Sequence, residues 1–397
     1  MHDTITSYTS ACLLGKKLRW NLLSNILLLL ACSLTAIGQT TSTGRIDTRE
    51  LHGGIEIAPR VVRVIALRIS NAEEGYNVKI LYSNSATLSV PYPGDGKLTS
   101  EYTRDAAQTV QSLSEKLQKD YQIPVNQIYI ISLSDLAPQN PDDLIKEVRD
   151  RTGKTMSFLN HEAEIQLSIA GIIPRRYKSG DRWYENRGIS SLIDIGNTTT
   201  KGGYQQLRQT VSGRPDYDYA TWSVPKGTVT FVSEVNKAAG ENADYKTYAK
   251  RAEALSSSFR SQIRAEASRK PGILTRRKVY LTGGIVWAMV TLLHPEDQRS
   301  YIPITMDDID TFYKRAVTDP ESLLNPDLSK ISDENLRNEI RRSREAVKQA
   351  YPPKTLIAGA ELLRALVAEL NPEEKRMLYP RYSYLARILS YVRLQPE

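Results

Sequence analysis

The chain has 397 residues, 40% of them hydrophobic, an ordinary composition for a globular protein with room for two domains. Its 53 Lys and Arg against 45 Asp and Glu leave a formal net charge of +8, a mild excess that favours anionic partners such as phosphates. No block of five basic residues and no basic–aromatic interleaving occurs, so no nucleic-acid partner is expected.

Within residues 1–38, Lys16, Lys17 and Arg19 precede an apolar run from Leu22 to Ile37. That design marks a bacterial export signal and is too short for a confident membrane span. Ala36-Ile37-Gly38 supplies the small residues of a cleavage site before Gln39. Leu29-Leu30-Ala31-Cys32 also resembles a lipoprotein box, with Cys32 as the lipidated residue, and an uncleaved anchor is the third alternative. Each places the protein in the periplasm or envelope, touching membrane only through this segment. Cys12 and Cys32 are the only cysteines, so the remainder has no disulfide and no cysteine metal site. His2, His52, His161 and His294 form no zinc-type spacing, which leaves carboxylates and backbone loops to carry any chemistry.

Residues 39–51 are polar and read as a tether. Ile55 and Ile57, the Val61–Ile69 run and Val78–Tyr82 predict an antiparallel strand meander, broken at Ala58-Pro59 and Asn71-Ala72. Thr99–Tyr121 has helical spacing with Ser100 as cap, Ile128–Ile131 reads as a buried strand, and Pro141–Thr152 as a short helix. Asn160–Gly171 reads as a helix closed by its glycine, and the polar, arginine-rich 174–187 segment as a hinge. Ser190–Tyr204 then supplies the most informative stretch. A short apolar run carrying Asp194 breaks at Gly196, passes Asn197, Thr198, Thr199 and Thr200, and is expected to turn back at Gly202-Gly203. Such a strand end aims backbone N–H groups and hydroxyls at one spot, a nest for phosphate oxygens, with Asp194 able to hold a divalent cation through water. An ordinary polar hairpin turn is the competing reading. Further on come a strand over 204–211, a long helical stretch over 241–268, a strand over 278–284 ending in Gly283-Gly284, a helix over 285–293, and the apolar helix Leu356–Leu370. Two halves, 52–180 and 188–397, each opening with a strand meander, point to a duplicated α/β core with a cleft between the halves.

In that order the motifs resemble the Ppx/GppA family, the exopolyphosphatases and guanosine-pentaphosphate phosphohydrolases of the actin–sugar kinase–Hsp70 superfamily. The family's D-I-G-G-G-S-T-E loop is matched by Asp194 to Lys201, its P-x-G-A/T-V segment by Pro225 to Val229, its third glycine turn by Thr282-Gly283-Gly284, and its late A-G-A helix by Ala358-Gly359-Ala360. The resemblance spans about residues 53 to 370. It implies a duplicated actin-like (ribonuclease H-like) α/β fold and Mg²⁺-dependent hydrolysis of polyphosphate or a related phosphate ester. Gly196, Asn197, Thr198, Thr199, Arg63, Gly283 and Gly284 would hold phosphate, Asp194 and Glu56 the metal, and Glu164 the attacking water, with Glu162 second.

Three departures accompany the likeness. The family's first loop, I-D-I-G-S-N-S-V-R, stands here as Ile55 to Arg63, with a glutamate for the aspartate and with Ala58-Pro59 in place of Gly-Ser. Proline removes one N–H donor from a loop whose work is donating them. Ala137 stands where an A-T-S-A-L-R-like segment carries its arginine, leaving Arg175 or Arg176 as substitutes. The E-E-A-R-L helix is His161 to Leu167, in which Glu162 and Glu164 lie about 200° apart around a helix and cannot share a face. The alternatives are therefore a catalytically impaired relative that binds a phosphate-bearing ligand or an envelope protein, and an ATP-using actin-like or kinase protein, which export to an ATP-poor compartment counts against. A homodimer is compatible with every one of these readings.

Overall fold

The computed structural model describes residues 50–72, 75–90, 97–139, 141–179, 182–208, 216–240, 242–329 and 331–395. The export, lipidation and most of the tether expectations, including Cys32, lie outside these residues. Among the described residues no helix is long and apolar enough to cross a membrane.

The meander of the first half is present as β1 (Leu51–Ala58), β2 (Val61–Ala72) and β3 (Gly75–Thr87), paired antiparallel. Strands β4 (Ile128–Ser132) and β5 (Met156–Phe158) add in parallel, giving the order β3-β2-β1-β4-β5. Buried on both faces, β1 and β4 are near-continuous apolar runs, as parallel sheet interiors require. Helix α1 (Ser100–Tyr121) covers one face with Tyr102, Ala106, Val110 and Leu117, beside α2 (Asp142–Thr152). The N-cap of α1 is Thr99 rather than Ser100; its hydroxyl accepts from Tyr102 N.

Helix α3 (His161–Ile172) follows, capped by Asn160. Gly171 lies inside it and does not close it: a side chain there would run into the backbone carbonyl of Ala386. The 174–187 segment is a pinned hairpin, β6 (Arg176–Ser179) with β7 (Arg182–Glu185). Asn186 Nδ2 donates to Pro174 O at 2.9 Å, and Arg187 Nε donates to Ile173 O at 3.2 Å.

The second half repeats the first. Strands β8 (Ser190–Ile195), β9 (Thr200–Arg208) and β10 (Asp216–Val224) form the antiparallel meander. The chain turns at 196–199, not at Gly202-Gly203. Those glycines sit within β9, where side chains would collide with Trp222 and Ile165. After β10 and α4 (Thr228–Ala239), neither of which the expected order contains, the long helix expected over 241–268 is present as α5 (Tyr245–Arg269). A one-turn α6 (Gly272–Thr275) leads to β11 (Lys278–Gly283) and α7 (Gly284–Leu293). Strand β12 (Tyr301–Ile304) precedes α8 (Met306–Thr318), α9 (Pro320–Leu324), α10 (Glu334–Ala350) and the apolar α11 (Pro353–Ala368). Strand β13 (Arg376–Pro380) completes the order β10-β9-β8-β11-β13-β12.

The last helix, α12 (Ser383–Arg393), crosses back. Its Leu385, Ile388 and Val392 pack with Ile65, Leu67, Ile131, Leu159 and Leu167 of the first half. The 188–397 boundary therefore assigns to the second half a helix whose apolar face is buried on the first. Helices α3 and α12 lie side by side between the sheets, and α3 also packs on Leu192 and Tyr280 of the second sheet. This places their polar residues at the junction of the halves.

Candidate functional site

The two acids expected to hold metal occupy corresponding places. Glu56 is on β1, which runs parallel to β4; Asp194 is on β8, which runs parallel to β11. Each has a basic residue directly across the antiparallel ladder, Arg63 for Glu56 and Lys201 for Asp194. Both acids are buried, and both face one guanidinium, that of Arg387 on α12. Arg387 Nε donates to Glu56 Oε2 at 3.1 Å, Nη2 lies 3.4 Å from Glu56 Oε1, and Nη1 lies 3.8 Å from Asp194 Oδ2. Arg63 Nη1 donates to Glu56 Oε1 at 2.6 Å, and Thr282 Oγ1 donates to Asp194 Oδ1 at 2.9 Å. Burial alone would raise the Glu56 carboxyl, but Arg387 and Arg63 outweigh it and hold it below the usual glutamate range. Burial likewise opposes the charge on Arg387, and Glu56, Asp194 and Glu164 overcome it and raise its pKa.

The donor set does not fit Mg²⁺. That ion asks for oxygen ligands at about 2.0–2.1 Å and keeps several waters. Here Glu56 is wholly buried with both oxygens on guanidinium groups, and Asp194 meets the same cation. Among the described residues no group of three or more His, Cys, Asp or Glu is arranged to hold a metal. The metal assignment of Glu56 and Asp194 is thus replaced by an ion-pair cluster. Arg63, assigned to phosphate, is committed to Glu56 instead.

Glu164 does reach the cleft, as helical geometry allows, while Glu162 on the opposite face is exposed and accepts from Gln166 Nε2 at 3.1 Å. Glu162 is therefore no candidate base. Glu164 is wholly buried; its Oε2 accepts from Lys201 Nζ and its Oε1 from Ser134 N. Lys201 also donates to Ser134 Oγ at 3.4 Å, and Ser134 Oγ shares a 2.8 Å hydrogen bond with His161 Nδ1. Burial works against the Lys201 ammonium, but Glu164, Asp135 and Asp194 outweigh it and hold its pKa above the lysine range. Burial and the Lys201 charge keep His161 below the usual histidine range. Both Glu164 oxygens are thus taken by donors of the protein, and the side chain has no solvent contact through which to orient a water.

The three turns matched to the family's loops differ in outcome. The first is absent: β1 and β2 pair up to Ala58 and Val61, and Pro59-Arg60 forms a two-residue turn. Leu88 N donates to Arg60 O at 3.1 Å and Tyr102 OH to Pro59 O at 3.1 Å, which fixes the turn. The second survives as Gly196–Thr199. Its carbonyls accept the first amides of α4: Thr228 N on Gly196 O at 2.9 Å and Val229 N on Asn197 O at 2.8 Å. Its hydroxyls are taken by Asp135, which accepts from Thr198 Oγ1 at 2.7 Å and Thr199 Oγ1 at 3.4 Å. A carboxylate of the protein's own chain occupies the place expected for a phosphoryl group. The third turn keeps its backbone form, Gly283 at φ 107°, a left-handed conformation that leaves no room for a side chain against Ile195. Tyr351 fills it, for a side chain at Gly284 would strike the Tyr351 hydroxyl. Arg175 and Arg176, the substitute arginines, are solvent-exposed.

No protein-family model matches the chain, and no curated protein matches it by sequence. Solved structures do. The Ppx/GppA family member from Aquifex aeolicus aligns with a TM-score of 0.53 at 13% identity over 85% of this chain and 96% of its own. An exopolyphosphatase from Cytophaga hutchinsonii aligns with a TM-score of 0.58 at 11% identity over 86% and 97%. An exopolyphosphatase-like protein gives 0.56 at 13% identity over 86% and 99%. The chain has the Ppx/GppA fold. It is a duplicated, two-domain, actin-like α/β architecture, and at these identities the likeness establishes the architecture alone.

Against a Ppx/GppA loop pattern ending in glutamate, Lys201 is a charge reversal. That was the one available signal for the ion pair on Glu164. Arg387, Asp135 and Tyr351 carry no comparable motif; each reaches the site from a distant segment.

Proposed function

We propose that this protein is a non-hydrolysing binding protein built on the Ppx/GppA fold, exported to the cell envelope and acting through a protein partner there. One observation carries the reading: the acid aligned with the catalytic glutamate, Glu164, is buried and neutralised by Lys201. Phosphoanhydride hydrolysis rests on positioning, charge neutralisation and a carboxylate that orients water. Polyphosphate hydrolysis, the activity implied by the sequence resemblance, would require Lys201, Arg387, Asp135 and Tyr351 to withdraw together. Each missing transition-state donor costs about 3 kcal/mol, or roughly 10²-fold in rate.

A second reading, binding of polyphosphate or another phosphorylated small molecule, is favoured by the Thr198 and Thr199 hydroxyls. They already hold an oxyanion, the Asp135 carboxylate, and a phosphoryl group displacing it would meet the same donors. Incubating the full-length protein with polyphosphate and Mg²⁺ tests both readings. The expected result is no phosphate release above the level of Glu164→Ala. Release that Glu164→Ala abolishes would overturn the proposal, and saturable polyphosphate binding without release would select the second reading.

A further inference from the structure

We infer that Arg387 is a resident cation standing where related folds are expected to place a divalent metal, so that the two acids at the junction of the halves are served by the protein's own chain. Glu56 and Asp194 belong to different sheets, yet both point at one positive centre, as carboxylates sharing a metal do. That centre is a guanidinium, which offers fixed, forked donors to two carboxylates at once.

Its placement is built in. Helix α12 is anchored by Leu385, Ile388 and Val392 in the first half's core, by the close approach of Ala386 O to Gly171, and by Tyr391 OH, which donates to Ser157 Oγ at 2.8 Å. Between these anchors the Arg387 side chain extends to the acids and is only 12% exposed. A divalent ion entering here would meet a positive charge already in place and, at Glu56, oxygens already taken by Arg387 and Arg63. The same arrangement ties the halves together, because a helix packed on the first sheet supplies the counter-charge for Asp194 on the second.

The inference concerns the same cleft as the proposed function but does not depend on it. A protein that released phosphate without metal would overturn that reading and leave this one standing. The experiment compares full-length wild type with Glu56→Gln, Arg387→Ala, Arg387→Met and Arg387→Ala/Glu56→Gln, measuring Mn²⁺ binding by electron paramagnetic resonance and melting temperature in millimolar Mg²⁺ against chelator. Wild type is expected to bind no stoichiometric Mn²⁺ and to melt at the same temperature in both buffers. Arg387→Ala should melt lower, gain one Mn²⁺ site per chain, and recover a few degrees in Mg²⁺ through preferential binding to the folded state. The double variant should lose that gain. Arg387→Met keeps the side-chain bulk and serves if the alanine variant fails to fold. A wild-type Mn²⁺ site abolished by Glu56→Gln would overturn the inference. So would a folded Arg387→Ala or Arg387→Met chain whose Mn²⁺ affinity equals that of the double variant.

Discussion

The β1–β2 and β8–β9 hairpins are the same construction carried out twice, with different results. In both, a central-strand acid is followed at the same spacing by a basic residue directly across the ladder: Glu56 with Arg63, Asp194 with Lys201. In the first hairpin, pairing continues to Ala58 and Val61 and leaves a two-residue turn. In the second it stops at Ile195 and Thr200 and leaves the four-residue loop 196–199. One rung of ladder separates a closed turn from a loop able to present groups to an anion. The cause is local. Pro59 lacks the N–H that a donor loop needs, whereas Gly196 N bonds back to Thr199 O at 2.9 Å and α4 docks on the loop's carbonyls. The basic residues diverge as well. Arg63 stays with its own acid, while Lys201 reaches past Asp194 to Glu164 on α3.

Four changes break or sharpen this comparison. The largest effect is expected from Lys201→Ala, which leaves Glu164 buried without its ammonium partner. Stability should fall by about 3–5 kcal/mol in denaturant titration, and Lys201→Met combined with Glu164→Leu should recover much of it. A smaller loss would show that water enters to solvate Glu164.

The first hairpin's pair should appear in acid. Because the Glu56 pKa is depressed in the folded state, its contribution is present above the unfolded value, near the ordinary 4.5, and is lost as pH falls through the lower folded value. Melting temperature of wild type should decline more steeply below that pH than in Glu56→Gln. Equal acid slopes would mean that the Arg63 and Arg387 pairs do not distinguish the two states.

Asp135→Ala tests whether the second loop keeps a latent anion site. It should cost about 1 kcal/mol, since two half-buried hydroxyls lose a carboxylate but can turn to water. Equilibrium dialysis with polyphosphate should then detect binding that wild type lacks. No gain would mean that Asp135 is not what keeps phosphate out.

The smallest effect is expected from Ala58→Gly with Pro59→Asn, which restores loop-like residues to the first turn. Stability should change by about 1 kcal/mol or less, with no polyphosphate binding acquired. The Glu56–Arg63 pair and the bonds from Tyr102 and Leu88 still hold the turn.

Much of the architecture is legible in the residues. Alternating and continuous apolar runs mark β1 to β4, β8 and β11, because a strand's pattern reports which faces are covered. Glycine marks the third turn, because the left-handed backbone at position 283 calls for a residue without a side chain. Strand β10 is less visible: its Asp-Tyr-Asp-Tyr-Ala-Thr-Trp-Ser-Val alternation buries Trp222 and Val224 but follows a glycine- and proline-containing segment.

The state of the site is a different matter. Periodicity says that Glu56, Glu164 and Asp194 sit on buried elements, but nothing in it says which cations accompany them. Arg387 is 331 positions from Glu56 and meets it only because α12 leaves the second half and packs on the first. Asp135 and Tyr351 likewise reach their turns from other segments. The local sequence determined the strands, the turns and the duplicated fold, through backbone geometry and hydrophobic periodicity acting over a few residues. Only the tertiary structure decided that the acids are paired with arginine and lysine, because a charge's partner is set by distance in space and not along the chain.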